Sequence, residues 1–271
     1  MISRGRWTAS LWYLPLLAVT LLASSQAARR PSPDRLQLDQ VWGAPTNLRP
    51  LGSGEGGIDL ASFVAHACAR VLLLSAAVAC LAALIGVPLG ATAAMVRGRL
   101  ELTLVRICDL IQAFPTFLLA LAVLSAVAVP ARWHLGFVFL LTAWAPFARM
   151  AHAQSRVIVG SEFVLAARSM GATQAHIIGR HLIPHLIGPV TVQLGSCAAG
   201  IVLSESALGF IGLGPSDGVS LGALLEQGTV AMLRDGRVLT VAALAIIATN
   251  GALQLASEGL RRSLLMRRQS E

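Results

Sequence analysis

The sequence contains no lysine: all 21 of its basic residues are arginine. A phosphate-binding P-loop needs its lysine on the nucleotide phosphates, so the chain carries no standard Walker A site. Charge is scarce as well. Asp, Glu, Lys and Arg make up 13% of the residues, about half their share in soluble domains. The four cysteines (Cys68, Cys80, Cys108 and Cys197) are far apart and form no CxxC pair, which argues against both a zinc site and a disulfide framework. Gly195-Ser196 lacks a GxSxG turn and a partnered base. His181 and His185 have a metal-like spacing, but Pro184 stands between them and no third ligand accompanies them. The expectation is a chain without catalytic residues, metal or cofactor, and not itself an enzyme.

What the chain has instead is apolar length. Fifty-five per cent of it is hydrophobic, and its mean hydropathy is +0.71. The apolar residues come in runs near the roughly 20 residues that a helix needs to cross a bilayer. Lipid cannot satisfy an exposed backbone, so such runs must be helices. The net charge of +8 could suggest nucleic acid, but the arginines sit in short loops between apolar runs and form no basic stripe interleaved with aromatics. That placement is the one membrane topology favours. The surroundings are membrane lipid, and no nucleic-acid partner is expected.

The fold class expected is an all-α polytopic membrane protein with about six transmembrane helices, over residues 9–25, 63–96, 109–129, 135–147, 186–210 and 238–256. The first run has the look of a signal peptide, with Ser-Gln-Ala before Arg29. Because more spans come after it, its retention is expected. Residues 26–62 are polar and rich in proline and glycine, an extramembrane loop. Gly86 and Gly90 make a GxxxG face, suited to close helix packing within the subunit. A short charged turn around Arg97–Arg106 precedes the third span, Pro146 closes the fourth, and residues 149–185 are too charged to cross. With an interior N-terminus, thirteen of the 21 arginines fall on the inner side.

The most informative stretch is Glu162–Pro184, EFVLAARSMGATQAHIIGRHLIP. Phe163, Ala166, Ala167 and Met170 recur at i, i+3, i+4 and i+7 and line one face of a short helix. Gly171 stands where a left-handed C-cap is wanted, and Thr173 can start a second helix. Two short helices folded around a glycine make a knob suited to a groove in a soluble partner.

This stretch resembles the EAA loop of ABC importer permeases: EAA, three residues, glycine, nine residues, then I-x-L-P. Ala166, Ala167, Gly171 and Pro184 fall at the required spacing, with Ile183 at the leucine position. Leu165 replaces the glutamate and His181 the isoleucine, while Glu162 matches the Glu-Tyr/Phe-Val lead-in of the peptide branch. The flanks resemble the C-type permease of dipeptide and oligopeptide systems. Pro50-Leu51-Gly52-Ser53 through Asp59-Leu60 is similar to its P-L-G-T-D…G-R-D-L segment, with Gly54 and Ile58 as departures. Phe114-Pro115 and Glu205, Leu208, Phe210 and Gly212-Leu213-Gly214 match further segments, with Gly209 in place of a serine.

The resemblance implies a bacterial inner-membrane, multi-pass subunit. Residues 1–8 are then a cytoplasmic N-terminus, 9–25 the first transmembrane helix and 26–62 a periplasmic loop. Residues 63–257 are a five-helix permease domain with a cytoplasmic coupling loop at 149–185, and 258–271 a cytoplasmic tail. The implied partners are a second permease subunit in a heterodimer, two ATP-binding subunits and a periplasmic or lipoprotein solute-binding protein. The ATPase-docking residues are Glu162, Phe163, Leu165, Ala166, Ala167, Met170, Gly171 and Pro184. The solute is a peptide or a related small molecule.

Charge inside a membrane is costly, so Glu205, deep in an apolar run, is a pathway or gating residue or an interfacial capping group. Gln193 and Asn250 are candidates for the pathway or for helix–helix hydrogen bonds. The alternative function is a secondary transporter driven by an ion gradient through Glu205.

Overall fold

The structure is a computed structural model and describes residues 18–20, 23, 25–27, 39, 41–216 and 218–268. The expected first span, 9–25, lies mainly outside these residues.

Helix α1 runs Leu60–Val96, 37 residues of mean hydropathy 2.5 at its most apolar. It starts a little before the expected Phe63 because the Asp59 side chain caps it, accepting from the Ala61 N–H at 3.0 Å. Arg97 and Gly98, both at positive φ, end it.

The next stretch differs from the sequence expectation. The charged turn expected around Arg97–Arg106 lies instead in a regular amphipathic helix, α2 (Arg99–Ala113), which also takes in the start of the expected third span. It meets α3 (Thr116–Ser125) at a 71° bend. The break falls at Phe114-Pro115, both exposed. Proline there removes a helical donor and crowds the preceding turn.

Pro146 has the opposite outcome. Helix α4 (Arg132–Val159) passes through it and continues to Val159, so Pro146 does not close the fourth span. Two sets of contacts hold the helix together. Ala145, Phe147, Ala148 and Ala151 are completely buried. The charges expected to mark a loop turn toward α2, where Arg149 pairs with Asp109. His152 Nε2 lies 2.9 Å and Arg156 2.6 Å from one oxygen of Glu101.

Helix α5 (Glu162–Ser169) comes after a short turn. Helix α6 then runs Gln174–Phe210, broken only by a wide π-turn at Ile178–Leu182. Pro184 cannot donate to the carbonyl four residues back, and the Ile183 N–H bonds five residues back to Ile178 instead. The long helices are interrupted over residues 160–173, within the expected coupling loop 149–185. After α7 (Leu221–Val230), helix α8 runs Gly236–Arg268. The expected tail at 258–271 is thus largely helical, with Glu258 bridging Arg261 and Arg262 at 2.8 Å each. Among the described residues four helices can cross a membrane, five if the bent α2–α3 pair counts as one.

The α1–α4 seam is tightly packed. A Cβ on Gly86 would lie 2.4 Å from the Trp144 carbonyl oxygen, and one on Gly90 only 2.1 Å from that of Ala148. The GxxxG face therefore serves packing within this chain. At the end opposite α5, residues 41–59 fold over the start of α8. The Ser53 N–H donates to the Gly43 carbonyl at 3.1 Å, and Arg237 reaches the Trp42 and Gly43 carbonyls at 3.4 Å. The same guanidinium lies 2.5 Å from Asp235 and, by hydrogen bonding it, holds that carboxyl below the usual carboxylate range.

Candidate docking loop

The knob is built from one buried contact and one backbone motif. Val164 is completely buried in a cluster with Val159 of α4, Met95 of α1, and Ile177, Leu182 and Leu186 of α6. Ala167 is buried beside it. These two hold α5 onto three long helices.

Gly171 has φ +85°. The Ala172 N–H donates to the Ala167 carbonyl at 3.0 Å and the Gly171 N–H to the Arg168 carbonyl at 2.9 Å. Together these bonds form the Schellman motif, which satisfies the last carbonyls of α5 and reverses the chain. The next helix is capped at once by Thr173, whose hydroxyl accepts from the His176 N–H at 3.3 Å. The cap at Gly171 and the start at Thr173 stand where the sequence places them. The second helix is no separate short element, since it continues into the α6 span.

Of the proposed docking residues, Glu162, Phe163, Leu165, Ala166, Met170, Gly171 and Pro184 are exposed, Met170 at 82%. Ala167 faces inward, so the periodic stripe straddles the boundary between packing and surface. Phe163 stacks on the His185 ring at 5.7 Å and tilts toward that of His181 at 5.8 Å. The two histidines with metal-like spacing thus orient an aromatic ring on the knob. No local signal reveals this, because the residues are brought together only by the reversal at Gly171. A notch of about 370 Å³ opens beside the reversal, lined by Ala167, Met170, Gly171, Thr173, His176 and His181. Among the described residues, no group of three or more His, Cys, Asp or Glu could hold a metal.

The other proposed residues lie elsewhere and apart from one another. Glu205 is 1% exposed within α6. The Asn250 amide of α8 donates to the Ala199 carbonyl of α6 at 2.9 Å, an interhelical hydrogen bond. Gln193 lies on the wall of a cleft between α3, α4 and α6.

Comparison with known proteins agrees with this architecture. Residues 86–265 match the family described as binding-protein-dependent transport system inner membrane component. A peptide transport system permease protein of Brucella suis is 32% identical over 222 residues, 80% of this chain and 73% of that protein. A D,D-dipeptide transport system permease protein of Escherichia coli is 26% identical over 84% of this chain and 77% of its own length. An oligopeptide transport system permease protein of Mycobacterium tuberculosis is 28% identical over 92% of this chain and 88% of its own. The chain is therefore a multi-pass membrane protein that belongs to the family of inner-membrane components of binding-protein-dependent transport systems.

Proposed function

We propose that this chain is the permease subunit of an ATP-binding-cassette importer for peptides or a related small solute. It forms half of the translocation pathway in the bacterial inner membrane. ATP hydrolysis takes place on two separate subunits, a second permease completes the pathway, and a solute-binding protein delivers the cargo. Family membership and the names of the relatives support this reading. The observation that carries it is the knob: an exposed face on α5 and its reversal, seated by buried Val164 on helices α1, α4 and α6.

The geometry suggests how force would pass. A docked ATPase presses on Phe163, Ala166 and Met170. Val164 and Ala167 transmit that movement to the ends of α4 and α6, because close-packed side chains shift together. The π-turn before Pro184 loosens the hydrogen bonding of α6 at that point and would let its first turns swing against the span. In this reading Gln193 is a pathway group. Glu205 and Asn250 belong to the packing that moves with α6.

The test is affinity purification of the tagged chain from native membranes in mild detergent, with the co-purifying proteins identified by mass spectrometry. An ATP-binding subunit and a second permease are expected. Recovery of the chain alone, stable and without an ATPase, would overturn the proposal and turn attention to ion coupling through Glu205.

A further inference from the structure

The cleft between α3, α4 and α6 has about 250 Å³ of free space. Its α6 wall carries Gln193, Ser196 and Ser204, with Gly200 between them. Spacings of three, four and four residues place all four on one stripe. Across from it stand Thr116, at the start of α3, and Thr142 of α4. Pro146, on the same α4 stripe, removes the regular helical donor for the Thr142 carbonyl. Among the described residues, the side chains of Thr116, Gln193, Ser196 and Ser204 have no hydrogen-bond partner. Among the described residues, no carboxylate or basic side chain lines the cleft.

Polar groups without a partner are disfavoured in hydrocarbon, and four of them line this one cleft. The free space in front of them leaves room for water or a solute to supply those partners. By contrast, the Asn250 amide is engaged between helices, on the Ala199 carbonyl at 2.9 Å, and the Thr142 hydroxyl is bonded to the Phe139 carbonyl of its own helix at 3.2 Å.

We infer that this cleft is a solute-contact site with neutral hydrogen-bonding chemistry, in which Gln193, Ser196, Ser204 and Thr116 receive the uncharged donors and acceptors of a passing solute. Main-chain amides are the solute class that fits. The lack of a fixed charge leaves the site indifferent to the sign of the solute's side chains. The inference rests on the importer reading and adds to it a place and a chemistry.

The test is thiol labelling in the assembled transporter, in native membrane vesicles. Ser196→Cys and Ser204→Cys are made in a chain whose four native cysteines are alanine, with Leu244→Cys, 64% exposed on apolar α8, as the dry control. Anionic and cationic methanethiosulfonates are used, each rate being normalised to that reagent's rate with a free thiol. Positions 196 and 204 are expected to react at least about tenfold faster than 244, since burial of a charged reagent in lipid is strongly disfavoured. The two reagents are expected to agree within about threefold, because a fixed charge a few ångströms away would separate them further.

Equal labelling at 196, 204 and 244 would overturn the site, and a large preference for one sign would overturn its neutral chemistry. If the cysteine-free chain fails to assemble, Ser196→Cys, Ser204→Cys and Leu244→Cys are made in the unsubstituted chain and read as labelling above the parent's. A gain at 196 and 204 and none at 244 is expected, and no gain at 196 and 204 would refute the inference. Failure of labelling with the ATPase still co-purifying sinks this site alone, whereas loss of the ATPase from the unsubstituted chain sinks the importer reading beneath it.

Discussion

Two regions of the molecule depend on glycine for opposite reasons. At the α1–α4 seam, Gly86 and Gly90 are needed because there is no room: a Cβ would strike the backbone of the facing helix. At the knob, Gly171 has nothing within 4 Å of where a Cβ would be, and glycine is needed for its φ of +85°. The first is a packing constraint that builds the permease body. The second is a conformational constraint in open space, which shapes a surface. Stability and partner binding should therefore separate between the two sites.

The largest effect is expected at the seam. Gly90→Ala forces two helices apart and should cost about 2–3 kcal/mol or more, read as a fall in the thermal unfolding midpoint of the detergent-purified protein. A midpoint within a degree of the parent would mean the seam is looser than described.

Next comes the contrast between two neighbours on α5. Val164→Ala removes completely buried methyl groups and should cost about 1.5–2 kcal/mol, whereas Leu165→Ala, at a residue 52% exposed, should stay within about 0.5 kcal/mol. Equal effects would erase the distinction between the inner and outer faces of the knob.

A smaller stability change but a larger functional one is expected at Gly171. Gly171→Leu should destabilise by only about 1–2 kcal/mol yet abolish recovery of the ATPase. Gly171→Asn should restore it, because asparagine tolerates the left-handed conformation. Failure of asparagine together with full activity of leucine would remove the conformational argument.

The smallest effect lies at the other end. The Arg237 hydrogen bond depresses the Asp235 carboxyl. The stability it provides is present above the ordinary value of 3.8 and is lost as pH falls through the lower folded value. The difference in unfolding midpoint between the parent and Asp235→Asn should be constant from neutral pH down to about 5 and shrink below 4. A difference that grows on acidification would contradict the clamp.

How legible these features were depends on whether they are local. The start of α1, the cap at Thr173 and the reversal at Gly171 arise from hydrogen bonds within a few residues, and sequence patterns carry them. The fates of Pro115 and Pro146 do not. The same residue breaks one helix and is absorbed by another, because Pro146 lies beside completely buried alanines and a phenylalanine while the Pro115 elbow is exposed. Arg149, His152 and Arg156 read as loop charges until α2 supplies Asp109 and Glu101 from about 40 to 55 positions away. The stacking of Phe163 on His185 was hidden for the same reason. Glu205 and Asn250 read as pathway candidates by polarity alone, whereas in space Asn250 joins α8 to α6.

The central claim is that the knob is where an ATP-binding subunit docks, and cross-linking tests it most directly. A photoreactive benzoylphenylalanine is placed at Met170, 82% exposed on the knob, and separately at Val230, 80% exposed at the opposite end. Irradiation of native membranes should give an adduct between position 170 and an ATP-binding subunit, and none of that kind from position 230. Absence of the adduct at 170, or the same adduct from both positions, would contradict the account.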